Sequence, residues 1–235
     1  MRAVSALYVG LCACGFQPAP ALGDEQPSEA GVSDASGDAP RDGSVTNVCD
    51  PNDLGLRACF VFDGTTTDGS SYHNNASATG TTFTTGHTGQ AIVTGAASNV
   101  TVAPTTSLDV AVMTLKLWIR PTTLPGVRAG LIDSAGRFRI FLQAGGAIRC
   151  ALTGGADLTS PIGAITTGAW QRVTCTYDQA TMKIYVNGAM VAMLPQSGTI
   201  PMPGSGIVIG QNNPTGEQLD GAIDELQVWG SIVAP

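Results

Sequence analysis

The acids and histidines of this 235-residue chain are few enough to be read one at a time, and they form no recognisable catalytic set. Beyond residue 48 there are two glutamates, Glu217 and Glu225. Neither has an aspartate two positions on that could complete an acid and nucleophile pair at the short separation that retaining glycoside hydrolysis requires. His73 and His87 lie in Gly-, Asn- and Thr-rich stretches, and no Gly-x-Ser-x-Gly turn presents a nucleophile. These residues predict a protein that is not an enzyme. What they offer instead is binding chemistry. Asp68-Gly-Ser-Ser-Tyr-His-Asn-Asn75 is rich in carboxylate, hydroxyl and amide oxygens, the ligands of a hard cation such as Ca²⁺. Its Tyr72 and His73 are an aromatic pair within a candidate ligand loop. Asp224 shares the alternation of Leu226 and Val228, which predicts an inward-facing carboxylate in need of a counter-charge or of hydrogen bonds at a bulge. Trp118, Trp170 and Trp229 fall on the polar side of their segments beside Lys116, Arg120, Arg172 and Gln227, where they would either form a sugar-stacking platform or pack under a crossing loop.

Six cysteines are present, and four of them, Cys49, Cys59, Cys150 and Cys175, follow residue 48. Three pairings are open to four cysteines. Cys150 alternates with Ile148 and Leu152, and Cys175 with Val173 and Tyr177, so both are expected to point into a core and to pair if their strands are neighbours. That leaves Cys49 with Cys59, a staple between the start of the domain and its first strand. A zinc site is disfavoured, because no Cys-x-x-Cys lies in this region and neither histidine is near a cysteine.

Positioning such residues is the work of strands. With 30 Gly, 14 Pro and 12% charged residues, the chain is rich in turns and poor in the residues that exposed helices favour. Alternation predicts strands over 58–63, 91–94, 99–102, 113–120, 130–133, 137–143, 147–152, 170–177, 182–186, 189–194, 206–209 and 222–229. Leu115, Leu117 and Ile119 oppose Thr114, Lys116 and Trp118, so that strand buries one face. Asn187-Gly188 is the preferred two-residue hairpin turn. Acids exceed bases by 18 to 11, which argues against nucleic acid as a partner.

Three segments in order, Trp170-Gln-Arg-Val-Thr-Cys-Thr-Tyr-Asp178, Lys183-Ile-Tyr-Val-Asn-Gly188 and Gly221-Ala-Ile-Asp-Glu-Leu-Gln-Val-Trp229, resemble the ending of the laminin-G-like (concanavalin A-like) jelly-roll domain. Cys59-Phe-Val-Phe-Asp-Gly64, the loop from Asp68 and the stretch from Gly86 to Val93 resemble its earlier segments, so the likeness spans about residues 56 to 230. The resemblance implies an all-β fold, a two-sheet antiparallel jelly-roll sandwich over residues 49–235. It further implies a Ca²⁺ at the sheet edge, for which Asp68, Ser70, Asn74 and Asp224 are the candidate ligands, and tryptophans that pack under a crossing loop. The Glu-x-Asp-x-x-Glu pattern of the family's glycosidases is missing.

Ahead of that domain, Arg2 and an apolar run from Ala3 to Ala13 suit a signal peptide over residues 1–14. Leu11-Cys-Ala-Cys14 resembles the bacterial lipoprotein box, with Cys14 as the lipidated residue. A plain secretory signal, or a strand in a chain that starts upstream, would read similarly. Residues 15–48 hold six acids against one base and few large apolar side chains, which predicts a disordered acidic tether with a reach of roughly 30 to 35 Å. The combined expectation is an exported, lipid-anchored binding or adhesion module at the bacterial outer membrane or cell surface. Its partner would be a glycan or an extracellular or periplasmic protein, and its only membrane contact the anchor.

Overall fold

Alternation of apolar and polar residues becomes two antiparallel sheets in the computed structural model, which describes residues 48–212 and 216–235. The signal segment, Cys14 and all of the acidic tether but Val48 lie outside the described residues. In chain order the strands are β1 (Leu56–Phe60), β2 (Ala76–Thr79), β3 (Thr82–Thr85), β4 (Gln90–Thr94), β5 (Asn99–Val102), β6 (Met113–Pro121), β7 (Arg128–Ser134), β8 (Phe138–Gln143), β9 (Ile148–Leu152), β10 (Leu158–Thr159), β11 (Gln171–Tyr177), β12 (Thr181–Val186), β13 (Ala189–Pro195), β14 (Ile207–Ile209) and β15 (Gly221–Trp229).

The larger sheet runs β13-β12-β11-β6-β15-β4-β3, with β1 added beside the second half of β15. The smaller runs β10-β9-β8-β7-β14-β5-β2. Together they make a two-sheet antiparallel sandwich of jelly-roll type. Its core is filled by the inward rows of both sheets, including Leu115, Leu117 and Ile119 of β6, Val173 and Tyr177 of β11, and Phe138, Ile140 and Leu142 of β8. Truncating any one of these to Ala would cost about 2–5 kcal/mol. Short β2, β3 and β10 escape the alternation reading because they are two to four residues long and mostly polar or small. The Asn187-Gly188 turn forms as expected, with φ of 50° and 83°.

Two expectations about buried groups are corrected. Cys49 and Cys59 are joined by a disulfide, but Cys150 and Cys175 are free and buried. They sit not on neighbouring strands but on facing sheets, and burial, with Cys175 close by, pushes the Cys150 thiol well up from its ordinary range. A bridge would need Cα atoms within about 4.4–6.8 Å, well inside the ~10 Å mean spacing of packed sheets.

The second correction concerns Asp224, which does not face the core. Glu225 takes up φ 46° and the register of β15 against β6 slips between Asp224 and Gln227. The bulge changes parity, so Ile223, Leu226 and Val228 point inward while Asp224, paired with Trp118, lies on the outer face of the larger sheet. The bulge also marks where β15 changes neighbours, from β4 over Gly221–Ile223 to β1 beyond it. Arg137, just ahead of β8, is fully buried, and its guanidinium donates to Ser134 Oγ, the carbonyls of Leu108 and Ser205, and Asp109.

A groove on the outer face of the larger sheet

Register on the larger sheet builds rows of outward side chains. Thr174, Lys116, Gln227 and Cys59 form one row across β11, β6, β15 and β1. Arg172, Trp118 and Asp224 form the next. Three segments then cross this face and leave a space between them. The N-terminal segment is fastened by the Cys49–Cys59 disulfide, and the Val48 carbonyl accepts from Gln227 Nε2 at 2.5 Å. The C-terminal segment is held by Thr114 Oγ1, which donates to the Ser231 carbonyl at 2.9 Å and accepts from Val233 N–H at 3.1 Å. It ends with the Pro235 carbonyl 2.9 Å from an Arg172 Nη atom.

The third is the loop after β3. There Asp224 Oδ2 accepts from the His87 and Thr88 N–H groups at 2.8 and 3.2 Å, and Oδ1 accepts from Glu225 N–H at 2.8 Å. Gly86 permits this approach, since a Cβ there would lie 2.6 Å from Asp224 Oδ2. Burial outweighs these hydrogen bonds and pushes the Asp224 carboxyl up to about 6. His87 in turn stacks on Trp118, ring centroids 3.6 Å apart, and its Nδ1 lies 3.5 Å from Glu225 Oε1.

The space between these segments is a groove of about 310 Å³ lined by Val48, Lys116, Leu117, Trp118, Arg172, Glu225, Gln227 and Trp229. That is the small end of the roughly 300–1,000 Å³ typical of ligand sites, room for a terminal sugar or two. The Arg172 guanidinium stands 5.7 Å from the Trp118 ring centroid. Burial, and then the Arg172 charge, hold the Lys116 ammonium below its ordinary range.

The tryptophans thus follow the packing alternative more than the platform. Trp118 lies against His87, and Trp229 packs with Cys49 and Cys59 on the outer face. Trp170 is outside the groove, with the Arg120 guanidinium 4.8 Å from its ring centroid. Lys116, Arg172 and Gln227 do converge with Trp118 and Trp229, while Glu225 and Val48 complete the lining without having been singled out by residue type. The signal for Glu225 was present in Ile223 and Leu226, inward residues three apart that cannot share a face without a bulge.

In the loop from Asp68 the carboxylate oxygens are taken up by donors of the protein itself. Asp68 Oδ1 accepts from Cys59 N–H and Ser70 N–H at 2.7 and 2.9 Å, and Oδ2 accepts from Ser70 Oγ and Asn74 N–H at 2.7 and 2.6 Å. Asn74 Nδ2 donates to the Arg57 carbonyl and Ser107 Oγ. Asp224, bonded to a different loop, is not brought to this cluster. Among the described residues no group of three or more His, Cys, Asp or Glu side chains gathers to hold a metal ion. Tyr72 is engaged as well, since its hydroxyl accepts from Arg57 and donates to the Leu54 carbonyl, while His73 is exposed at φ 52°.

Comparison with known proteins gives a consistent frame. The family model described as the concanavalin A-like lectin/glucanases superfamily matches residues 94–234, more than half of the chain. No curated protein sequence matches it. Among solved structures, domain 4 of AbnA, an extracellular arabinanase of Geobacillus stearothermophilus in complex with arabinotriose, aligns with TM-score 0.62 at 18% identity, covering 74% of this chain and 91% of that one. The binding domain of Paraclostridial Mosquitocidal Protein 1 aligns with TM-score 0.63 at 17% identity, over 76% of this chain and 49% of that one. The botulinum neurotoxin serotype D binding domain aligns with TM-score 0.59 at 14% identity, over 77% and 49%. The chain therefore spans about half the length of the two toxin binding domains. At these identities the likeness is one of fold.

Proposed function

Because this chain belongs to the concanavalin A-like lectin/glucanases superfamily, we propose that it is a non-catalytic glycan-binding module whose site is the groove on the outer face of the larger sheet. The observation that carries this reading is the meeting of Trp118, Trp229, Lys116, Arg172, Glu225 and Gln227 in one open space of about 310 Å³. An indole beside several hydrogen-bonding side chains is the combination that holds a sugar ring and orients its hydroxyls. Absence of catalysis is supported by the carboxylates at that site. Glu225 lines the groove, but its neighbour Asp224 is fully buried with both oxygens bonded to backbone N–H groups and has no path to a substrate.

The arabinotriose complex of one structural neighbour is consistent with saccharide binding on this fold. A glycan array probed with the purified full chain tests the reading. Binding to at least one glycan is expected, and no binding to any glycan at high protein concentration would sink it.

The placement in the cell is part of the same proposal. Cys14 would carry the lipid, and the acidic stretch would hold the domain off the membrane of the exporting bacterium. Fractionation of cells expressing Cys14→Ala checks this: the variant should leave the membrane pellet, and its retention there would remove the anchor from the account.

A further inference from the structure

The groove's charge balance narrows the kind of glycan it can take, an inference that rests on the glycan-binding reading. Lys116 and Arg172 are adjacent on the outer face, held there by the pairing of β6 with β11. The chain as a whole carries a net charge of −7 and acids exceed bases throughout the domain, so carboxylate partners for two cations are not scarce. Four of the other described arginines find them: Arg128 with Glu217 at 2.7 Å, Arg137 with Asp109 at 3.0 Å, Arg139 with Asp133 at 3.4 Å and Arg149 with Asp157 at 3.3 Å, whereas Arg57 meets Tyr72 and Arg120 the Thr85 carbonyl. Among the described residues neither Lys116 nor Arg172 has an Asp or Glu side chain within ion-pair distance. Arg172 donates to the oxygen of Pro235, the last residue described, while its Nε–H is buried without an acceptor. Lys116 is half-buried, and among the described residues it has neither an acceptor nor an acid within ion-pair distance.

Two like charges drawn out of water side by side are unfavourable unless an anion joins them. Glu225, the acid of the lining, is turned to His87 on the other rim. No Asp or Glu side chain among the described residues pairs with either cation, which leaves room there for an anion from outside.

We propose that the groove binds an acidic saccharide, with the anionic group of a carboxylated or sulfated sugar seated between Lys116 and Arg172 and its ring against Trp229. A charge-assisted hydrogen bond to either cation strengthens binding by about tenfold or more over a neutral hydroxyl in the same place. Neutral sugars would accept hydrogen bonds from the two cations but leave their charges unneutralised.

The test uses the full chain on paired glycans, each carboxylated member beside its methyl ester and each sulfated member beside its desulfated parent. Acidic members should bind at least about tenfold tighter than their neutral partners, and Lys116→Gln should erase most of that difference. Whether the carboxylated or the sulfated series responds identifies the anion. Neutral members binding as tightly as acidic ones, or a preference unchanged in Lys116→Gln, would overturn the proposal and leave the glycan-binding module standing. Binding to no glycan overturns both. Lys116→Gln changes an outward side chain that makes no hydrogen bond or ion pair among the described residues, and its unfolding midpoint confirms that the variant is folded.

Discussion

Two polar clusters of this domain invite comparison, the loop from Asp68 to Asn75 and the groove around Lys116. The loop is the denser in oxygens, yet it is closed: the Asp68 carboxylate alone accepts four hydrogen bonds, and Asn74 ties the loop to Arg57 and Ser107. It serves to hold β1 and the segment after it in place. The groove is open, and among the described residues no Asp or Glu side chain pairs with its Lys116 or Arg172. A binding site announces itself by what is unsatisfied, because a cluster whose valences are filled from within has nothing left to offer a ligand.

The comparison would break first at Asp68. Asp68→Ala leaves the buried N–H groups of Cys59, Ser70 and Asn74 without their acceptor, and should cost about 3 kcal/mol or more in denaturant unfolding, with or without Ca²⁺ present. A loss below about 1 kcal/mol, or a large stabilisation of the parent by Ca²⁺ that EDTA reverses, would return the loop to the status of a metal site.

A smaller effect belongs to Asp224, which borders the groove but behaves as the loop does. Its folded-state carboxyl titrates at about 6, above the ordinary 3.8. Between those values the folded protein holds more protons than the unfolded chain, so this group's contribution to stability falls as pH rises from about 4 to 6 and is at its lowest above that window. Asp224→Asn keeps an acceptor for the loop and should flatten that part of the pH profile, as read by thermal midpoints across the window. An unchanged profile would show that the carboxyl is not the group responsible.

Much of this architecture is readable along the chain. The alternation of β6, β11 and β12 shows which side chains line the core, and the Asn187-Gly188 turn joins β12 to β13 as its residues predict. Where reading along the chain goes astray, the cause is local and physical. One extra residue at Glu225 inverts the side on which Asp224 emerges, and alternation carries no mark of such an insertion except the three-residue spacing of Ile223 and Leu226. Inward parity correctly put Cys150 and Cys175 in the core, but parity is silent on whether two strands are neighbours or face each other across the sandwich.

The amino-acid sequence by itself determined the class of fold and the inward faces of its principal strands, because each depends on residue type and on spacing within one segment. Only the tertiary structure decided where a ligand could sit. Lys116, Arg172 and Glu225 belong to three strands far apart in the chain, Val48 and Pro235 approach from its two ends, and the partners that each charge lacks can be known only once every neighbour has been placed.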